Sequence, residues 1–197
     1  MADPVSESAY SRAIDAIRRG GVVAFPTETY YGLAADPDCE EAVKRIFYLK
    51  GRRWDKPLLL LIEKIQQLQM VADSIPRRYQ PLIDNYWPGP LTLIFPAKDS
   101  VNKMVTAGGG SVGVRISSHP VARELVARMG KPLTATSANI SGRQPAESAR
   151  EVELFFGTSL DMILDGGLTT GGLCSTIVGL QDDKLTVFRQ GQIILPP

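Results

Sequence analysis

Val22-Val-Ala-Phe-Pro-Thr-Glu-Thr-Tyr-Tyr-Gly32 is the stretch on which the reading of the fold turns. Residues 22–25 form an apolar run far too short for an ordinary helix, which predicts a buried strand. Residues 26–32 then mix hydroxyls, a carboxylate and aromatic rings with no helical or strand period, so they read as a loop. Upstream, Ser8 can cap a helix to about Arg19, with Ala9, Ala13, Ile14 and Ile17 on one face and Gly20-Gly21 as the stop. Downstream, Asp38 can cap a second helix with Ala42, Ile46 and Phe47 buried, ending at Lys50-Gly51.

The same alternation continues. Residues 58–62 read as a strand, 64–86 as helical with Ser74 as a cap and Pro76 in its first turn, and Trp87-Pro-Gly-Pro90 as the break before a strand over 91–95. Residues 112–116 are a further strand, His119-Pro120 opens a helix to Met129 stopped by Gly130, and 133–136 is a strand. Ser148 with Glu151 makes a capping box, and 162–164, 176–180 and 185–189 look extended. Strands and helices interleave without a strict βαβ rhythm. The expectation is an α/β (α+β) domain, a mixed open sheet with helices packed against it.

Composition narrows the function classes. The 197 residues suit one domain, and 44% hydrophobic with 22% charged residues is ordinary for a globular chain. Twenty-two Lys and Arg against 21 Asp and Glu leave a formal charge of +1, which argues against a protein that mainly coats nucleic acid. Any anion binding must be local. Cys39 and Cys174 are too far apart for a CxxC motif and His119 is the sole histidine, so no metal site is expected and a reduced, cytoplasmic setting fits. The N-terminal ten residues lack the apolar core of a signal peptide, and no run is long enough to span a bilayer.

Familiar motifs fail on context. Gly108, Gly110 and Gly113 match G-x-G-x-x-G, but a β-branched segment follows where a dinucleotide site needs a helix. A flexible glycine turn is the better reading. No P-loop, HExxH or GxSxG occurs, and a triad hydrolase has no suitable histidine. What remains is a set of uncharged, hydroxyl-rich loops that end strands, with a few isolated cations. Residues 49–56 hold Lys50, Arg52, Arg53 and Lys56 against Asp55 alone. A helix C-terminus welcomes such charge, yet Lys50 and Arg52 flank Gly51, and in an extended segment both side chains would share a side and could clamp a polyphosphate. Ser137 and Asn139 alternate at the end of a strand, where ligands of open α/β sheets sit, although a plain hydrogen-bonded turn explains them equally well. Arg115 and Arg189 lie in strand-like segments, where an inward arginine needs an anion and an outward one snorkels to water.

Taken in order, Phe25-Pro-Thr-Glu-Thr-Tyr-Tyr-Gly-Leu33, Lys50-Gly-Arg52, Lys56-Pro-Leu58, Trp87-Pro-Gly-Pro-Leu-Thr92, Val112-Gly-Val-Arg115, His119-Pro120, Ala135-Thr-Ser-Ala-Asn-Ile-Ser-Gly142 and Ser175-Thr-Ile-Val178 resemble the threonylcarbamoyl-AMP synthase family, the YrdC-like proteins. No single phrase is specific; the ordered set is, over about residues 10–190. The resemblance implies one YrdC-like domain over 1–197, the family's short form, with a twisted sheet and a large positively charged concave cavity. It implies formation of threonylcarbamoyl-AMP and pyrophosphate from L-threonine, bicarbonate and ATP, with Mg²⁺ brought in by the nucleotide. The product would serve tRNA threonylcarbamoyladenosine modification through a downstream transfer machinery, with weak tRNA binding as a further expectation. Carried over by position, Lys50 and Arg52 match the family's catalytic K-x-R element, and Ser137 and Asn139 its S-x-N element. Thr29, Arg115, Ser137 and Ser175 fall where the substrate's threonine and carbamate parts are held. Ser111 and Arg189, with Lys50, Arg52, Ser137 and Asn139, fall where ATP is contacted. Tyr30, Lys56 and Leu61 depart from the commonest family pattern. The competing readings are an RNA-binding module of the same fold and a same-fold enzyme with another substrate.

Overall fold

The structure, a computed structural model, describes residues 5–196; the ends of the expected 1–197 domain and the first four residues of the N-terminal stretch lie outside the described residues. Among the described residues nine strands form one mixed sheet in the order β7-β1-β2-β6-β3-β5-β4-β8-β9. Its strands are β1 (Val23–Pro26), β2 (Tyr31–Ala34), β3 (Leu59–Leu61), β4 (Leu91–Pro96), β5 (Ser111–Arg115), β6 (Leu133–Ser137), β7 (Met162–Ile163), β8 (Thr176–Gln181) and β9 (Lys184–Arg189). Five helices accompany them: α1 (Glu7–Arg18), α2 (Glu40–Lys50), α3 (Gln80–Tyr86), α4 (Pro120–Met129) and α5 (Ala149–Phe156). The mixed α/β class is therefore as expected.

Period-two alternation sends neighbouring residues of one strand into two different cores. Val22 and Ala24 join a core with Val43, Ile46, Phe47, Leu60 and Val114, while Val23 and Phe25 join a second one with Ile14, Ile17, Leu125 and Leu133. The second core is built by α1 and α4. These two helices cover the β7-β1-β2-β6 half of their face and leave much of the other half without a helical lid. That uncovered half carries the candidate site.

Several local expectations need correction. Residues 31–34, read as the end of a loop and its exit, form β2, antiparallel to β1 with Phe25 opposite Gly32. The loop shrinks to a tight turn in which Thr27 Oγ1 donates to the Tyr30 carbonyl at 2.7 Å and accepts from the Thr29 amide at 3.2 Å. The cap of α1 is Ser6, whose hydroxyl accepts from the Ala9 amide, and Ser8 lies inside the helix. Cys39, not Asp38, is the N-cap of α2, and the Asp38 carboxylate pairs with Lys131 at 2.8 Å. Residues 64–86 are not one helix: 3₁₀ turns at Ile65–Met70 and Arg77–Tyr79 precede α3, and Ser74 caps nothing. The Asp73 amide donates to the Pro96 carbonyl and Ala72 bridges Ala97, so the edge of β4 captures the backbone that a helix would have used. At α5, Ser148 does cap Glu151, but the Glu151 carboxylate reaches the Glu147 amide, one residue before the usual partner.

Candidate functional site

A cavity of about 360 Å³ opens across the uncovered half of the sheet and reaches back to the β1–β2 turn and the end of β6. Its floor follows strand periodicity: Ser111, Gly113 and Arg115 project from β5 at every second residue, while Val112 and Val114 enter the core behind. At Gly113 a Cβ would stand 2.5 Å from Leu59 Cδ2 and 3.4 Å from Thr92 Cγ2, so the absence of a side chain keeps the floor open. Arg52, Lys56, Arg115 and Arg189 line the wall, and among the described residues no aspartate or glutamate does.

Arg115 is carried at the end of β5 with its side chain only 8% exposed, and its nearest acid is Glu28, with NH1 to Oε1 at 3.6 Å. The Arg189 guanidinium is held on one edge by Ser175, NH2 donating to the Ser175 carbonyl at 2.8 Å and to its hydroxyl at 3.0 Å. The Ser175 hydroxyl also contacts Thr92 Oγ1 at 2.9 Å. Arg52 donates to the carbonyls of Lys56 at 3.2 Å and Pro57 at 2.8 Å, which pins the segment leaving α2. Burial holds both Arg52 and Arg115 below the ordinary guanidinium range, and the positive charge of Arg189 pushes each further down, opposed at Arg115 by Glu28. Cations gathered around a common space make a place for an anion.

Lys50 departs from the expected geometry. It is the last residue of α2, and Gly51 takes a left-handed φ of 56°, so Lys50 and Arg52 do not alternate along an extended segment. Arg52 enters the cavity. Lys50 instead runs behind the wall, 1% exposed, where its ammonium donates to the Ser137 carbonyl, the Asn139 carbonyl at 2.9 Å and Asn139 Oδ1 at 3.0 Å. Burial pushes its pKa down to about 7, helped by the charge on Arg52. The Ser137 hydroxyl donates to Asn139 Oδ1 at 2.6 Å, which leaves Asn139 outside the lining and Ser137 within it. The K-x-R and S-x-N elements are therefore one hydrogen-bonded unit, with Lys50 its internal brace.

Of the other expected residues, Thr29, Ser111 and Ser175 line the cavity. The sequence reading assigned no role to Phe188. Between β8 and β9 the register steps from Ile177 opposite Arg189 to Val178 opposite Val187, so Phe188 is the extra residue of a β-bulge. That bulge lets both Phe188 and Arg189 reach the cavity, where strict alternation would turn one of them away. Lys56 also belongs to the wall; its place in the cationic run 50–56 was the available signal. The glycine-rich segment at 166–172 is tied down by Tyr31 Oη to the Gly167 carbonyl at 2.8 Å, the Gly171 amide to the Thr29 carbonyl at 2.8 Å and Tyr30 Oη to the Gly172 carbonyl at 2.6 Å. Among the described residues no group of three or more His, Cys, Asp or Glu is placed to hold a metal ion, and no helix is long and apolar enough to cross a membrane.

Comparison with known proteins places this architecture. The chain is 42% identical over 179 residues to a threonylcarbamoyl-AMP synthase of Pyrococcus abyssi, a match covering 91% of this chain and 53% of the relative. A Yersinia enterocolitica threonylcarbamoyl-AMP synthase is 35% identical over 191 residues, 94% of this chain and 97% of the relative. The chain thus spans about half the length of the archaeal relative and nearly all of the bacterial one. A crystal structure of P. abyssi Sua5 complexed with L-threonine superposes with a TM-score of 0.92 at 40% identity, covering 96% of this chain and 56% of that one. The family profile of the Sua5/YciO/YrdC domain, described as telomere recombination, matches residues 15–191. With the family profile matching residues 15–191 and relatives 35–42% identical over more than nine-tenths of its length, the chain belongs to the Sua5/YciO/YrdC family.

Proposed function

We propose that the protein is a threonylcarbamoyl-AMP synthase, which joins L-threonine, bicarbonate and ATP into threonylcarbamoyl-AMP and releases pyrophosphate for tRNA modification. One observation carries the reading: three guanidiniums and Lys56 converge with the hydroxyls of Thr29, Ser111, Ser137 and Ser175 on one cavity without a lining carboxylate. Relatives carrying this name and the L-threonine complex of the P. abyssi protein support it. The threonine amine condenses with bicarbonate, losing water, to give a carbamate, whose carboxylate attacks the α-phosphorus and expels pyrophosphate. Such a displacement needs positioning and charge neutralisation, with no protein nucleophile.

Roles follow from position. Arg115 pairs with the carboxylates of the threonine-derived part, and Ser175 and Thr29 orient it by hydrogen bonds. Arg52 and Arg189 offset charge growing on the phosphates, with Ser111 and Ser137 on the nucleotide. Lys50 and Asn139 act one layer back, fixing Ser137. Magnesium ions prefer carboxylate and phosphate oxygens, and with no carboxylate in the wall the phosphates of ATP are the donor set that would hold one. A carbamate is labile in water, so a recessed cavity favours its survival.

The test is incubation with ATP, L-threonine and bicarbonate, following pyrophosphate and a new adenylate by chromatography. Formation of the adenylate is the expected result. Salt-sensitive RNA binding without any adenylate would favour a binding module, and turnover with a different amino acid a changed substrate.

A further inference from the structure

Among the described residues, one buried side-chain polar atom has no hydrogen-bond partner: Oε1 of Glu28. The rest of Glu28 is firmly held. Its Oε2 accepts from the Ser117 hydroxyl, Ser117 Oγ accepts from the His119 amide at 3.2 Å where α4 begins, and its carbonyl accepts from the Thr170 hydroxyl. The carboxylate is thus fixed through Ser117, and the backbone that carries it through Thr170. Its free oxygen faces Arg115 NH1 at 3.6 Å, within the range of an ion pair and beyond that of a hydrogen bond.

The guanidinium shows the complementary feature. Arg115 is buried and lines the cavity, yet its guanidinium makes no hydrogen bond to any other described residue. Five N–H donors on a buried cation demand acceptors. A carboxylate at contact distance would consume two of them and lock the group in a fork. Glu28 is set back from that distance, so it offsets the cost of burying the cation while leaving its donors for an acceptor in the cavity.

We propose that Glu28 is a positioning residue, which aims the Arg115 guanidinium at the carboxylate of the bound amino acid and keeps its donors free. The proposal rests on the reading of the cavity given above and adds to it a carboxylate that no lining residue supplies. It separates the two substrates, because Glu28 bears on Arg115 at the end of β5 and on none of the groups assigned to the phosphates.

The experiment is a double-mutant cycle of Glu28→Gln and Arg115→Ala. KM for L-threonine and for ATP is read from pyrophosphate release, and L-threonine binding by titration calorimetry. Glutamine keeps the Ser117 contact and removes the charge. Glu28→Gln should raise the threonine KM about tenfold and leave the ATP KM within about twofold. Added to Arg115→Ala it should have almost no further effect, since its action passes through that arginine. An unchanged threonine KM, an equal rise for both substrates, or full additivity with Arg115→Ala would each overturn the proposal. If Glu28→Gln fails to fold, Glu28→Asp, which keeps the charge and withdraws it by one methylene, should still weaken threonine about threefold with ATP unaffected; equal threonine use by wild type and Glu28→Asp would then refute it. If the wild type bound L-threonine but formed no adenylate, the functional reading would fall and the binding cycle would decide on Glu28 alone. A wild type that does not bind L-threonine removes both.

Discussion

Replacing Lys50 by methionine separates two roles that the sequence merges in its K-x-R element. Methionine fills much of the same volume, so the change removes the ammonium and little packing. Three acceptors lose their donor: the carbonyls of Ser137 and Asn139 and the Asn139 side-chain oxygen. Each bond to a charged group is worth about 1.5–3 kcal/mol, and relief of the ammonium's burial returns part of the sum, leaving a net loss of about 3 kcal/mol. For a chain of this length that lowers Tm by about 6–12 °C. Arg52→Ala is the control, since its bonds to Lys56 and Pro57 are exposed and should cost at most about 1 kcal/mol. Both variants should lose pyrophosphate release, and thermal melts with a continuous pyrophosphate assay read the two effects in parallel. A Lys50→Met protein that melts with the wild type, or one that turns over normally, would refute the brace described here.

Three further expectations rest on other parts of the molecule. Arg115→Ala should impair use of L-threonine well beyond its effect on ATP binding, and equal losses in steady-state kinetics would contradict the assigned role. At Gly191 a Cβ would stand 2.2 Å from the Cys174 carbonyl oxygen and 2.6 Å from the Thr176 nitrogen, so Gly191→Ala must displace the backbone that carries Ser175. A Tm drop with at least a tenfold loss of turnover is expected, and a wild-type rate would count against it. The phenols of Tyr31 and Tyr79 are buried and raised to about 12, so the stability they contribute is complete below pH 10 and is lost as pH climbs from 10 through 12. Denaturant titrations across that range should show a fall of about 2–3 kcal/mol for each phenol. Tyr79→Phe should flatten the slope, and an unchanged slope would show the phenol is not its source.

How far the sequence could be read depended on how local each signal was. The strand at 22–25, the glycine stop after Lys50, the cap at Ser148 and the His119-Pro120 start of α4 are written within a few residues, and the structure has all of them. Strand β2 was hidden because Tyr31 and Gly32 continue a polar turn, and only pairing with β1 and β6 makes them extended. The helical pattern over 64–86 lost to a nonlocal competitor, the edge of β4. In the cavity wall, Thr29, Arg52, Arg115, Ser137 and Ser175 stand within the ordered motifs, and Ser111 and Arg189 could be named only by position from the resemblance. The burial of Lys50, the bulge at Phe188 and the pairing of Glu28 with Arg115 could not. Each depends on which way a side chain turns after a cap, a register step or a chain crossing, and no short-range pattern encodes that.

The half of the sheet left without helices has a further meaning. Leu59, Ile94, Ile177 and Phe188 face the cavity as apolar surface that elsewhere in this molecule would be roofed by α1 or α4. The protein leaves one layer of its interior to be completed by its guest. Occupancy should then be felt as firmness: saturating ligand at a hundred times its Kd adds about 2.7 kcal/mol to the folded state. Heat resistance measured with and without nucleotide becomes a binding assay that needs no chemistry to occur.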